Sequence, residues 1–163
     1  MNDLALRMYF LVPYNLSPIQ QGIQAGHACQ QYAYLYGDTE LFERHTVDHK
    51  TWIILNGGTT LEADTKGNSA HAVGTMQEYL TGLRNYTKVK IATFEEPDLN
   101  YALTAFCFIC DERAWNAELY PDFVENTEWS AREYNKAFKL WTDDIGGRDN
   151  AYLRLFLKGK RLA

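Results

Sequence analysis

Residues 6–37 read LRMYFLVPYNLSPIQQGIQAGHACQQYAYLYG, and the fold follows from this stretch. The apolar, aromatic-rich run Leu6–Val12 is stopped by Pro13, which predicts a first strand. Ser17 is then an N-cap, with Pro18 at the first helical position where a backbone N–H is not needed. Gly37 offers a C-terminal stop, so the helix is expected over Pro18–Tyr36. Further along, Trp52–Leu55 is a compact apolar run closed by Asn56-Gly57-Gly58 and reads as a buried second strand followed by a turn. Parallel strands need a crossover connection, and the helix supplies one.

Downstream, Ala70, Val73, Met76, Tyr79, Leu80 and Leu83 recur at helical spacing and predict a helix over Ser69–Leu83. Lys88–Phe94 and Thr104–Cys110 read as two more strands, joined by Glu95-Glu96-Pro97-Asp98-Leu99-Asn100. The order βαβαββ places the chain in the α/β class. Beyond it, Trp115 lies in a short helical stretch, and Ser130 with Glu133 forms a capping box for a helix to Trp141. Gly146-Gly147 separates that helix from a last one over Asn150–Leu157. The expected organisation is an α/β domain over residues 1–111 and a helical C-terminal extension over 112–163, packed on the same domain.

The 163 residues suit one domain, and 46% hydrophobic with 23% charged residues excludes a disordered chain, a collagen or a coiled coil. No apolar run reaches the roughly 18 residues that span a bilayer, and Met1–Val12 lacks the basic-then-apolar order of a secretory signal. The expectation is a cytoplasmic protein without a membrane partner. A formal charge of -5 excludes the chain as a whole from being an electrostatic cradle for nucleic acid. That acidity belongs to residues 1–111, with 7 basic and 12 acidic side chains; residues 112–163 carry 9 of each and end on Lys158, Lys160 and Arg161.

Eleven Tyr and four Trp exceed what one core needs, which points some of them to a ligand pocket or a homodimer interface. Cys107 and Cys110 match a CxxC spacing, but in a strand that odd spacing puts the thiols on opposite faces, so they read with Cys29 as reduced packing residues. His45 and His49 lie four apart with no third ligand in register, and His71 is alone, so no metal site is expected. Phosphate-binding loops, dinucleotide fingerprints and nucleophile elbows are absent.

Chemistry concentrates on the first helix. Gln20, Gln24, His27 and Gln31 fall at i, i+4, i+7 and i+11 and share one stripe. The plainer reading is a solvated polar face; the functional one is a hydrogen-bonding wall of a pocket, with His27 as acid, base or water-orienting group. Gly22 and Gly26 each cost about 1 kcal/mol against alanine in mid-helix, which suggests close backbone approach to a sheet or ligand. The segment around Asp98 is either an ordinary strand connection or the mouth of that pocket, with the Thr104 hydroxyl facing the same space.

Taken together, a strand, Leu16-Ser17, the small-residue helix with Gln24-Ala25-Gly26-His27-Ala28, a strand, a helix, a strand, Asp98 and then Thr104-Ala105 resemble the archaeal and eukaryotic type of peptidyl-tRNA hydrolase. The likeness spans Met8–Cys110 and is nearest to the short relatives of bacteriophage genomes. It implies an α/β fold with a mixed, mainly four-stranded sheet and helices on both faces. It also implies cleavage, without metal or cofactor, of the ester that joins a peptide to the terminal ribose of tRNA. In that scheme His27, Asp98 and Thr104 are catalytic, with Asp98 orienting His27 to activate water, while Gln20, Gln24, Gln31 and Asn100 hold the ligand.

Two departures accompany the likeness. Where the family has a lysine-bearing, glycine-rich opening to the helix, this chain has the uncharged Pro18-Ile19-Gln20-Gln21, and the stretch with glycine and arginine after the acidic residue is missing. Both remove cations that would meet a tRNA backbone. The alternative expectation is therefore a non-catalytic phage protein that binds and sequesters a small nucleotide, such as an immune signal, in the same pocket. A structural interaction module with a vestigial pocket is the third reading.

Overall fold

A computed structural model of the chain describes residues 3–60 and 75–163. Strand β1 (Leu6–Pro13) leads into helix α1 (Pro18–Tyr36) through a complete capping box. Gln20 N donates to Ser17 Oγ at 3.3 Å, and Ser17 N donates back to Gln20 Oε1 at 3.2 Å. The helix ends at Tyr36 with Gly37 still right-handed (φ -63°, ψ -23°), so the glycine stops it without the left-handed turn that glycine usually supplies. Helix α2 (Glu40–Arg44) and a wide turn over His45–His49, neither signalled by hydrophobic periodicity, then deliver the chain to β2 (Thr51–Gly58).

Helix α3 is described over Thr75–Tyr86. The expected start of that helix at Ser69, with Ala70, His71 and Val73, lies outside the described residues. Strand β3 (Ile91–Glu96), a single 3-10 turn (Pro97–Leu99) and β4 (Ala102–Asp111) make a hairpin. Helices α4 (Glu112–Trp115), α5 (Ala131–Asp144) and α6 (Arg148–Leu157) follow. The Ser130–Glu133 capping box is present, and positive φ angles at Gly146 (94°) and Gly147 (112°) turn the chain between α5 and α6.

The sheet order is β2-β1-β4-β3, with β1 and β2 parallel and the other two pairs antiparallel. This corrects the reading of Trp52–Leu55 as a buried strand closed by a turn. β2 is an edge strand with one sheet neighbour, Trp52 is 42% exposed, only Leu55 of the four is buried, and Asn56–Gly58 continue the strand. The outer side of β2 is covered by the C-terminal residues: Asn56 N donates to Arg161 O at 2.8 Å and Ala163 N to Ile54 O at 3.0 Å. β3 begins three residues later than Lys88, and β4 begins two residues before Thr104.

Strand parity sorts two cores. Leu6, Met8, Phe10 and Val12 of β1 join Ala105, Cys107 and Ile109 of β4 beneath Ala25, Ala28 and Tyr32 of α1. Tyr9, Leu11, Phe106, Phe108 and Cys110 face the other way, onto Met76, Leu80 and Leu83 of α3, Ala114 of α4, and Leu153 and Phe156 of α6. Each such fully buried large side chain contributes about 1.5–3 kcal/mol of transfer free energy. The molecule is an α/β structure with a mixed four-stranded sheet and helices on both faces. Cys107 and Cys110 fall in different cores, as their odd spacing requires, and burial pushes both thiols far up from their usual range. Part of the aromatic surplus is consumed by α5, whose Phe138 and Trp141 pack around Phe123 with ring centroids 5.2 and 5.7 Å away.

Candidate functional site

Between β3 and β4 the register passes from Phe94 opposite Ala105 to Glu95 opposite Leu103, so Thr104 is the extra residue of a bulge. Bulges re-aim side chains. Leu103 packs into the α3 core and Ala105 into the α1 core, and the bulge turns Thr104 toward α1 as well, beside Ala105 rather than opposite it. There the Thr104 hydroxyl donates to Gln24 Oε1 at 2.5 Å, and Gln24 Nε2 donates to Glu96 Oε2 at 2.9 Å. Thr104 is 1% and Gln24 8% exposed, so this chain of bonds satisfies buried polar groups that would otherwise be costly. Three elements are tied by it: α1, β3 and β4.

His27, one turn further along the same stripe, stacks on Phe94 of β3, with centroids 4.5 Å apart and ring planes at 22°. No hydrogen bond joins His27 to Asp98. Asp98 is exposed on the 3-10 turn, where its backbone N–H points to Glu96 Oε1 at 3.4 Å. Asn100 closes that turn in the left-handed conformation (φ 50°, ψ 41°), which asparagine tolerates better than most residues. Gln20 is committed to the α1 capping box, and Gln31 is half-buried two turns beyond Gln24. The structure thus brings Gln24 and Thr104 into contact, sets His27 beside them on Phe94, and leaves Gln20, Asp98, Asn100 and Gln31 around the margin.

Two residues of this region lay outside the expected set. Glu96 anchors the Gln24 amide; it shares a strand face with Ala92 and Phe94, so a two-residue period would have aimed it at α1. Gln21 is buried and donates through Nε2 to Pro13 O at 3.2 Å, pinning the first turn of α1 to the end of β1.

The outer face of α1 carries a shallow depression of about 400 Å³, lined by Ile23, Gly26, His27, Gln30, Ala33 and Trp52 among others. No lysine or arginine lines it. Indeed α1 has no charged residue at all, and residues 91–111 contain Glu95, Glu96, Asp98 and Asp111 but no cation. Among the described residues no group of three or more His, Cys, Asp or Glu side chains gathers in a way that could hold a metal ion, and no helix is long and apolar enough to cross a membrane. His45 is instead a packing histidine: buried at 2% exposure, its Nε2–H donates to Thr51 O at 3.0 Å, and burial holds its pKa below the usual imidazole value.

No family model matches the chain, and no curated protein matches it. The chemistry must be read from the site itself.

Proposed function

We propose that this chain is a non-catalytic capture protein on a fold similar to the archaeal and eukaryotic type of peptidyl-tRNA hydrolase, holding a small nucleotide or nucleoside by its base beside α1. The observation that carries this reading is the charge of the site. The hairpin carries Glu95, Glu96 and Asp98 at its turn end and Asp111 at the far end of β4, and neither it nor α1 carries a lysine or arginine. A tRNA acceptor stem needs lysine or arginine against its phosphates, and carboxylates repel it. The amino edge of a base is a different partner, because carboxylates accept its hydrogens.

The rest of the geometry agrees with binding rather than turnover. His27 has no carboxylate bonded to its ring to orient it as a base, and the Thr104 hydroxyl is buried and spent on Gln24. His27, half-buried in its stack on Phe94, lines the depression on α1, so a base entering there meets an aromatic ring. One stacked base contributes about 1–3 kcal/mol.

The test pairs two measurements on one sample. Calorimetry against a panel of nucleosides, which carry no phosphate, is expected to show stoichiometric binding, weakened about tenfold by His27→Ala through loss of the stack. Incubation with a blocked aminoacyl-tRNA is expected to release no product. Turnover by the wild type that His27→Ala or Asp98→Ala abolishes would overturn the reading and make the protein a hydrolase.

A further inference from the structure

On the opposite face of the sheet from α1, a cavity of about 270 Å³ opens between β1, α4 and the end of α6, walled by Tyr9, Trp115, Asp122, Arg154, Lys158 and Lys160 together with smaller apolar groups. Its charge is opposite to that of the whole chain. Three cations face a single carboxylate: Asp122 lies 3.5 Å from Arg154 Nη1 and 3.2 Å from Lys158 Nζ. Lys160 has no carboxylate partner among the described residues; its ammonium sits over the Tyr79 and Phe156 rings, 4.0 and 4.4 Å from their centroids. Burial lowers the Lys160 pKa, the mark of a cation short of solvent and counter-ion.

The Arg154 side chain is 5% exposed, and its Nη2 donates to Arg113 O at 2.7 Å. Its Nε–H is buried with no hydrogen-bond partner among the described residues, and so is the indole N–H of Trp115. A buried unpaired donor costs about 1–3 kcal/mol, more on a charged group; both belong to residues of the cavity wall, but the two atoms themselves are turned into the protein rather than into the cavity. The guanidinium of Arg7 covers one face of Trp115 at 3.4 Å from the ring centroid. Nor is the basic wall a loose tail. Lys160 N donates to Leu157 O at 3.1 Å, and Arg161 O accepts from Asn56 N at 2.8 Å, which fixes the backbone on either side of the cations.

We propose that this cavity is an anion site for a dianionic phosphate, free or carried as a small phosphomonoester, gripped by Arg154, Lys158 and Lys160. After Asp122 is counted, two positive charges remain to be balanced. A phosphate dianion balances both and accepts from several donors at once, whereas a carboxylate brings one charge. The volume admits a phosphate with a sugar-sized group and excludes a nucleic-acid stem. None of these residues belongs to the α1 site, so the two proposals stand or fall separately.

Calorimetry of the full chain with inorganic phosphate, ribose 5-phosphate and acetate tests this. Phosphate or its ester is expected to bind one to one and raise the melting temperature, with acetate inert; which of the two binds tighter identifies the source of the phosphate. The surface-reaching pair Lys158→Gln/Lys160→Gln is expected to fold normally and weaken binding about tenfold or more. His27→Ala is expected to leave phosphate affinity unchanged. Absence of binding at millimolar phosphate and ester, equal binding of acetate, or undiminished affinity in the folded double variant would each overturn the proposal.

Discussion

One hydroxyl sets how α1 meets the hairpin. Thr104 donates to a glutamine oxygen that has left water, and the same amide donates onward to Glu96. Thr104→Val keeps the shape and removes the proton, leaving Gln24 Oε1 buried without a donor. The expected cost is about 1–3 kcal/mol in urea unfolding, much of it recovered in Thr104→Val/Gln24→Leu, where both polar partners are gone. A loss near zero for the single variant would mean that water reaches the amide. Gln21 and Glu96 follow the same logic: amides and carboxylates on this face are structural clamps first, and whatever binds beside them meets a rigid wall.

At the level of elements, the glycines of α1 and β2 behave in opposite ways. Gly22 and Gly26 have nothing within 4 Å of where a Cβ would stand. This corrects the expectation that the sheet approaches them; α1 buries its alanine face, and the glycines point outward. Gly22→Ala is therefore expected to raise stability by about 0.5–1 kcal/mol, read as a higher thermal midpoint. A lower midpoint would show that something else packs on this side of the helix. Gly57 is the counter-case. It is the extra residue of the β1–β2 register shift, and a Cβ there would collide with Met76 Sδ and crowd the Val12 carbonyl at 3.2 Å. Alanine at that position would make the Met76 side chain swing aside and the neighbouring β1 atoms give by a few tenths of an ångström.

For the whole molecule, two local charge clusters lie on opposite faces of the sheet: Glu95, Glu96 and Asp98 at the α1–hairpin end, and Arg154, Lys158 and Lys160 at the end of α6. Stability should also carry a histidine signature. Burial lowers the His45 pKa in the folded state, and the ring donates to Thr51 O at 3.0 Å, linking the wide turn after α2 to β2. The unfolded chain takes up the proton first. The stability contributed by neutral His45 is thus fully present above about pH 6.5 and declines as pH falls below it. Urea midpoints are expected to drop from pH 7 to pH 5.5, and His45→Gln, which keeps an amide donor, should flatten that slope. An unchanged slope in the variant would assign the acid sensitivity to the carboxylates.

What could be read without coordinates was local. The limits of α1 follow from Ser17, Pro18 and Gly37, the start of α5 from Ser130 and Glu133, and the opposite placement of Cys107 and Cys110 from strand parity. Caps, turns and two-residue alternation are written within about four residues of the chain, and short-range sterics and hydrogen bonds enforce them. The bulge that turns Thr104 onto Gln24, the edge position of Trp52, and the shielding of β2 by residues 161–163 were invisible at that range. So was the meeting of Trp115, Arg154 and Lys160 around one cavity. Each depends on which strands become neighbours and in what register, and that is decided by the packing of apolar faces far apart in sequence.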